Sequence, residues 1–150
     1  MKLPNKMRIR ILADGRPLAG MFVRVDLKAK WRSDFSLGFG PSDEQGVLVI
    51  TYEDLIRQAR ELCDFFIMDY GDPEKDLAGE IVVAAKNREA LLRATEAYDS
   101  FQHVVQFPPR YAEQIQEARM LLDELRPKRL SVEIEHDGEG IVVRGETVVA

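Results

Sequence analysis

The sequence predicts an α+β domain, and three patterns predict it. Apolar and polar residues alternate with period two through much of the first fifty positions, as half-buried strands require. Two apolar stripes at helical spacing then occupy 87–126 on either side of Pro108-Pro109, and alternation returns from Leu130 onward. At 150 residues and 45% apolar content the chain suits one domain, 1–150, with a single core. Its expected parts are strands with one short helix over 7–85, a helical hairpin over 87–126 and a terminal β-hairpin over 130–149.

Each element has a local cause. Met7, Ile9 and Ile11 alternate with Arg8 and Arg10, and Asp14-Gly15-Arg16-Pro17 supplies turn chemistry. The cleanest alternation follows, with Met21, Val23, Val25, Leu27 and Ala29 apolar between Phe22, Arg24, Asp26 and Lys28. A weaker strand covers 33–39, and a turn over 41–46 precedes the apolar run Val47-Leu48-Val49-Ile50. Thr51 opens a helix over 52–63, with Asp54 three residues on as a shortened capping box and Leu55, Ile56, Ala59 and Leu62 on one face. Strands are expected at 65–68 and 80–85, with a polar loop over 70–76 between them.

Asn87 is an N-cap for a helix carrying Leu91, Ala94, Tyr98, Phe101 and Val105; Tyr111, Ile115, Ala118, Leu122 and Leu125 mark its partner. Complementary stripes across a short break imply an antiparallel helical hairpin, packed on the sheet or on a second copy of itself. Pro127 ends it. Leu130–Glu135 and Ile141–Val149 then read as the arms of a β-hairpin around His136-Asp137-Gly138-Glu139-Gly140.

The 21 Lys/Arg and 26 Asp/Glu give a net charge of −5, divided unevenly: +4 over the first fifty residues and −9 over the rest. The single cysteine, Cys63, cannot form an internal disulfide, so the cytoplasm is the expected location. Arg8 and Arg10 interrupt any apolar run behind the first residues, so no signal peptide is read there, and no run reaches the ~18 apolar residues of a membrane span.

The segment Ile9-Arg10-Ile11-Leu12-Ala13-Asp14-Gly15-Arg16-Pro17-Leu18-Ala19-Gly20-Met21-Phe22-Val23-Arg24-Val25, followed by Ser42-Asp43-Glu44-Gln45-Gly46-Val47-Leu48-Val49-Ile50, resembles the opening of transthyretin-like and carboxypeptidase-regulatory-like domains. These share a G-x-P-L-x-G turn between two strands and a D-x-x-G turn into a third. The likeness covers roughly the first third of the chain. It implies a β-sandwich of prealbumin-like type, here with a short helix and an inserted antiparallel helical hairpin.

The resemblance also brings in a hydrolase branch, the hydroxyisourate hydrolases, whose pattern is an early His, an Arg, a second His and a C-terminal Tyr-Arg-Gly-Ser. Here the first histidine is His103, inside an expected helix, and Val143-Arg144-Gly145-Glu146 lacks both Tyr and Ser. Ser100, three residues before His103, has no third group to orient the pair, and Cys63 has no nominated partner. No catalytic, cofactor-binding or metal-ligating residue is therefore assigned, and no cofactor. Asp69, Asp72, Glu74 and Asp76 crowd one loop without EF-hand spacing, and Gly38-Phe39-Gly40 lacks the lysine of a phosphate loop.

The basic region is the sharper feature. If the first two long strands pair, Arg8, Arg10, Arg24 and Lys28 share one face, with Trp31 at the strand end. A pI near 5.1 argues against nucleic acid. The patch instead predicts an unknown protein partner of acidic character or the chain's own acidic helices, with self-association also open. The resulting expectation is a non-enzymatic interaction or structural module; the alternative is a small-molecule hydrolase or ligand-binding protein with its site between sandwich and helices.

Overall fold

The structure, a computed structural model, describes residues 2–30, 33–65, 73–86, 120 and 128–149. Its elements are β1 (Lys6–Ala13), β2 (Arg16–Pro17), β3 (Val23–Ala29), β4 (Phe35–Phe39), β5 (Val47–Thr51), α1 (Tyr52–Phe65), a 3-10 turn (Pro73–Asp76), β6 (Leu77–Ala85), β7 (Arg129–His136), β8 (Val142–Glu146) and β9 (Val148–Val149). They form two sheets. In the first, β1 takes β7 along one side and β5 and β2 along the other, and β9 extends β7. The second runs β4-β3-β6-β8.

The period-two pattern decides which side chains are buried. Met7, Ile9 and Ile11 from β1, Val23, Val25 and Leu27 from β3, and Ile81 and Val83 from β6 join one apolar cluster that also takes in Leu130 and Ile50. Each such side chain contributes roughly 1.5–3 kcal/mol on leaving water, so this cluster drives the fold. The strand β6 is buried on both faces, because Val82 and Ala84, which point to the outer row, are also 1% exposed. Its continuous apolar run reflects that central place.

Two pairings expected from sequence are corrected. The first two long strands, β1 and β3, do not pair: they lie in different sheets and contribute to the same core. Nor do β7 and β8 form a hairpin. The 137–141 connection carries the chain from the first sheet to the second, where β8 runs parallel to β6 with Val82 opposite Arg144. In both cases alternation specifies a buried face, and facing another strand across the core satisfies it as well as pairing beside one.

The expected capping box is present: the Asp54 N–H donates to Thr51 Oγ1 (3.2 Å) and the Thr51 N–H donates to Asp54 Oδ2 (3.1 Å). It starts α1, whose Leu55, Ile56 and Ala59 are buried and which touches both β4 and β5. The helix extends to Phe65, so the strand expected at 65–68 does not begin there, and 66–68 lie outside the described residues. The strand expected at 80–85 starts earlier, at Leu77. The expected helical hairpin over 87–126 also lies outside the described residues, apart from Met120.

The turns are built by named side chains. In the D-x-x-G turn, Asp43 Oδ1 accepts the N–H groups of Gln45 (2.9 Å) and Val47 (2.8 Å), while the Gly46 N–H donates to Asp43 O (2.9 Å). The buried Ser42 hydroxyl donates to Leu18 O (2.7 Å) and accepts the Met21 N–H (3.1 Å), which ties this turn to the one before β3. Asp14 fixes the entry to β7: its Oδ1 accepts the Arg129 N–H and its own N–H donates to Arg129 O, both at 2.9 Å.

Candidate functional site

The four described cations of the expected basic patch divide between two surfaces. Arg8 and Arg10 stand on the outer row of the first sheet, opposite Glu135 and Glu133 of β7, and Arg10 approaches Glu133 at 4.0 Å. Arg24 and Lys28 stand on the outer row of the second sheet. Trp31 lies outside the described residues. The single-face arrangement fails because it required β1 and β3 to pair.

Acidic neighbours within the chain meet these cations. Arg24 Nε donates to Asp26 Oδ2 (2.9 Å) and its guanidinium lies 3.6 Å from Glu146. Across the same face Arg144 bonds Glu80 (2.6 Å) and Glu146 (3.2 Å), and the Glu80 bond above all raises its pKa. Lys28 Nζ donates to Asp34 at 2.8 Å, which raises the lysine's pKa and lowers that of the aspartate. Asp26 is 8% exposed, and its Oδ1 makes no hydrogen bond.

A second feature was not singled out in the sequence. Between β4 and α1 runs an open groove of about 430 Å³, lined among the described residues by Ser36, Arg57, Gln58, Glu61 and Leu62. Gln58 crosses it. Its Nε2 donates to Gly38 O (2.9 Å) and its Oε1 accepts the Gly38 N–H (3.3 Å), so one side-chain amide pairs both backbone groups of a residue on the edge strand. Above Gly38 lies Lys86: a Cβ placed on the glycine would meet its Nζ at 3.4 Å. The same ammonium is 5.8 Å from the Phe22 ring.

Backbone alternation defines what else the groove offers. Both polar groups of Gly38 point away from β3, so those of Ser36, two residues back, point the same way. No described hydrogen bond engages them. The step from Gln58 to Leu62 along the helix is about 6 Å and that from Gly38 to Ser36 along the strand about 6.8 Å, so the helix accompanies the edge for two rungs. Gln58 follows a polar position and precedes buried Ala59; its sequence reads as solvent-facing, and only the packing of α1 beside β4 shows its second role.

The remaining chemistry-bearing candidates have structural partners or lie outside the description. His136 Nδ1 accepts the Gly138 N–H (3.1 Å) at the exit from β7. Glu74 accepts the hydroxyl of Tyr52. His103, Asp69 and Asp72 lie outside the described residues, among which no three His, Cys, Asp or Glu side chains gather as a metal site would require. No helix among the described residues is long and apolar enough to cross a membrane. Compared with known proteins, the chain matches no protein family, no curated protein and no solved structure.

Proposed function

We propose that this chain is a non-enzymatic protein-interaction module, built on a β-sandwich of prealbumin-like type and working in the cytoplasm. The observation that carries the reading is the form that the described residues give the groove beside β4: open, bounded by a sheet edge and a helix, and lined by Ser36, Arg57, Gln58, Glu61 and Leu62. Enzymes and small-molecule binders enclose most of their ligand's surface, whereas an open groove along an edge suits a segment of another protein. The fold part of the reading is supported by two sheets sharing one apolar cluster and by the hydrogen-bonded D-x-x-G turn at Asp43–Gly46. One cysteine in 150 residues suits a reducing compartment.

The test compares the wild-type full chain with Arg57→Glu and Glu61→Arg variants as bait under native, low-salt conditions, alongside a turnover screen with ester, amide and cyclic-ureide substrates. The expected result is a partner bound in stoichiometric amount by the wild type and lost from variants whose thermal melts are unchanged. Turnover that disappears in His136→Ala or His103→Ala would instead make the chain a hydrolase.

A further inference from the structure

We propose that the outer face of the first sheet is a dimerisation surface, on which the basic column of β1 in one copy packs over the acidic column of β7 in another. This surface is separate from the groove beside β4, and its partner is a second copy of the chain. Strand register arranges its charge.

Met7, Ile9 and Ile11 of β1 are fully buried, so Lys6, Arg8 and Arg10 alternate with them onto the outer face, where all three are exposed. Beside them stands β7. Glu133 lies directly opposite Arg10 and Glu135 opposite Arg8. The next outer position in that antiparallel register sets Asp137 beside Lys6, whose N–H donates to Asp137 Oδ1 (3.1 Å). On the other side of β1, β5 places Val47 opposite Arg10, Val49 opposite Arg8 and Thr51 opposite Lys6. The face therefore carries three parallel columns, one uncharged, one basic and one acidic, and the cations and carboxylates are equal in number.

Within one copy this charge is largely unused. Arg10 comes no closer than 4.0 Å to Glu133, with the two side chains 46% and 64% exposed, and among the described residues Lys6, Arg8 and Glu135 make no ion pair. A two-fold axis parallel to the strands, above the line between β1 and β7, supplies the missing partners. It lays each copy's β1 over the other's β7 and keeps the rungs level, so Arg8 meets Glu135 of the partner subunit and Arg10 meets Glu133 of the partner subunit. A two-fold axis across the strands would stack β1 on β1 and set like charges together, so the columns select one arrangement. Facing sheets lie about 10 Å apart, a gap that an arginine and a glutamate bridge from opposite sides.

Such columns offer few side chains beside the roughly 20–30 residues a side of a standard interface, so the dimer is weak, with Kd on the order of 0.1 mM at low salt. Sedimentation of the full chain across that range measures it. Raising the salt to about 1 M, where the Debye length is about 3 Å, should weaken the dimer by at least about tenfold. Reversal of the basic column (Arg8→Glu with Arg10→Glu) and reversal of the acidic one (Glu133→Arg with Glu135→Arg) should each leave a monomer, because both columns then carry one sign. Mixing the two variants should restore the dimer, since each supplies the charge that the other lacks.

All four substitutions together exchange the columns and keep every opposite pair within the sheet. That chain should dimerise with itself and not with the wild type, whose columns meet it like against like. It also decides the matter should a single-column variant fail to fold in a thermal melt. A wild type that stays monomeric at low salt up to about 1 mM, or a dimer that survives reversal of either column, would overturn the proposal. A mixture of the two reversed variants that remains monomeric, though both are folded, would do the same. A wild-type dimer lost in Arg57→Glu and kept in the column variants would move self-association to the groove and overturn this face while leaving the interaction reading intact.

Discussion

Replacing Gly46 with alanine tests whether the turn before β5 is fixed by steric contact with the neighbouring backbone or only by local conformation. Gly46 has φ +77°, where an L side chain costs roughly 1–2 kcal/mol. Its surroundings add to that: a Cβ would lie 2.7 Å from Ile11 O, 3.0 Å from Leu18 N and 3.3 Å from Pro17 Cα, all backbone atoms that no rotamer change can move. Relieving such crowding typically costs a further 1–3 kcal/mol. The total for Gly46→Ala is therefore about 2–5 kcal/mol, a large part of the roughly 5–15 kcal/mol that holds a domain together. Gly15→Ala is the control, because Gly15 has nearly the same φ, +80°, with nothing within 4 Å of its added Cβ. It should cost only the conformational part. Urea denaturation of the three proteins under one buffer gives both differences, and m should be unchanged. Equal losses in the two variants would refute the claim that the close approach of β1 and the 17–18 segment specifies the turn.

Ser42→Ala leaves the Met21 N–H and the Leu18 carbonyl without their bridging hydroxyl in a buried site and should cost about 1–3 kcal/mol in the same denaturation assay; a loss under half a kcal/mol would show that the bridge is dispensable. Arg24→Glu should destabilise by about 1–3 kcal/mol, because it places like charge beside nearly buried Asp26 and beside Glu146, whereas Arg10→Glu, whose exposed contact with Glu133 is 4.0 Å long, should cost only about half a kcal/mol. Thermal melts of the pair check the order, and equal shifts would contradict it. Asp34, Asp54 and Asp137 have pKa values held below the ordinary 3.8, chiefly by hydrogen bonds from Lys28, from the Thr51 N–H and from the Lys6 N–H respectively. Because the folded values are the lower ones, this stability is complete above the unfolded value and lost as pH falls through the folded values. Urea midpoints should therefore stay level down to about pH 5 and fall below pH 4, and a midpoint unchanged at pH 2.5 would rule the three carboxylates out as contributors.

For β1, β3, β5 and the start of α1, the sequence by itself determined which segments are extended or helical and which face of each is buried. Alternation from Met7 to Ile11 and from Met21 to Leu27 marks side chains that the structure buries to within a few per cent, and Thr51 with Asp54 marks the start of α1. These are local consequences of strand pleat, helix pitch and unsatisfied terminal N–H groups, so nearby residues suffice to specify them. The turns at Asp14-Gly15 and Asp43–Gly46 are legible for the same reason.

Only the tertiary structure decided which strands are neighbours. Burying Ile9 and Val25 against each other is equally possible for strands side by side in one sheet and for strands facing across a core, and hydropathy has the same period in both. Hence the basic residues of β1 and β3, which alternation places on polar faces, fall on two surfaces instead of one. The same ambiguity hides the groove. Ser36, Gly38, Gln58 and Lys86 are ordinary surface residues in a one-dimensional reading, and they become a set only when α1 packs beside an edge strand whose outward N–H and C=O groups need partners. That need belongs to the backbone of every residue alike, which is why the sequence carries no mark of it.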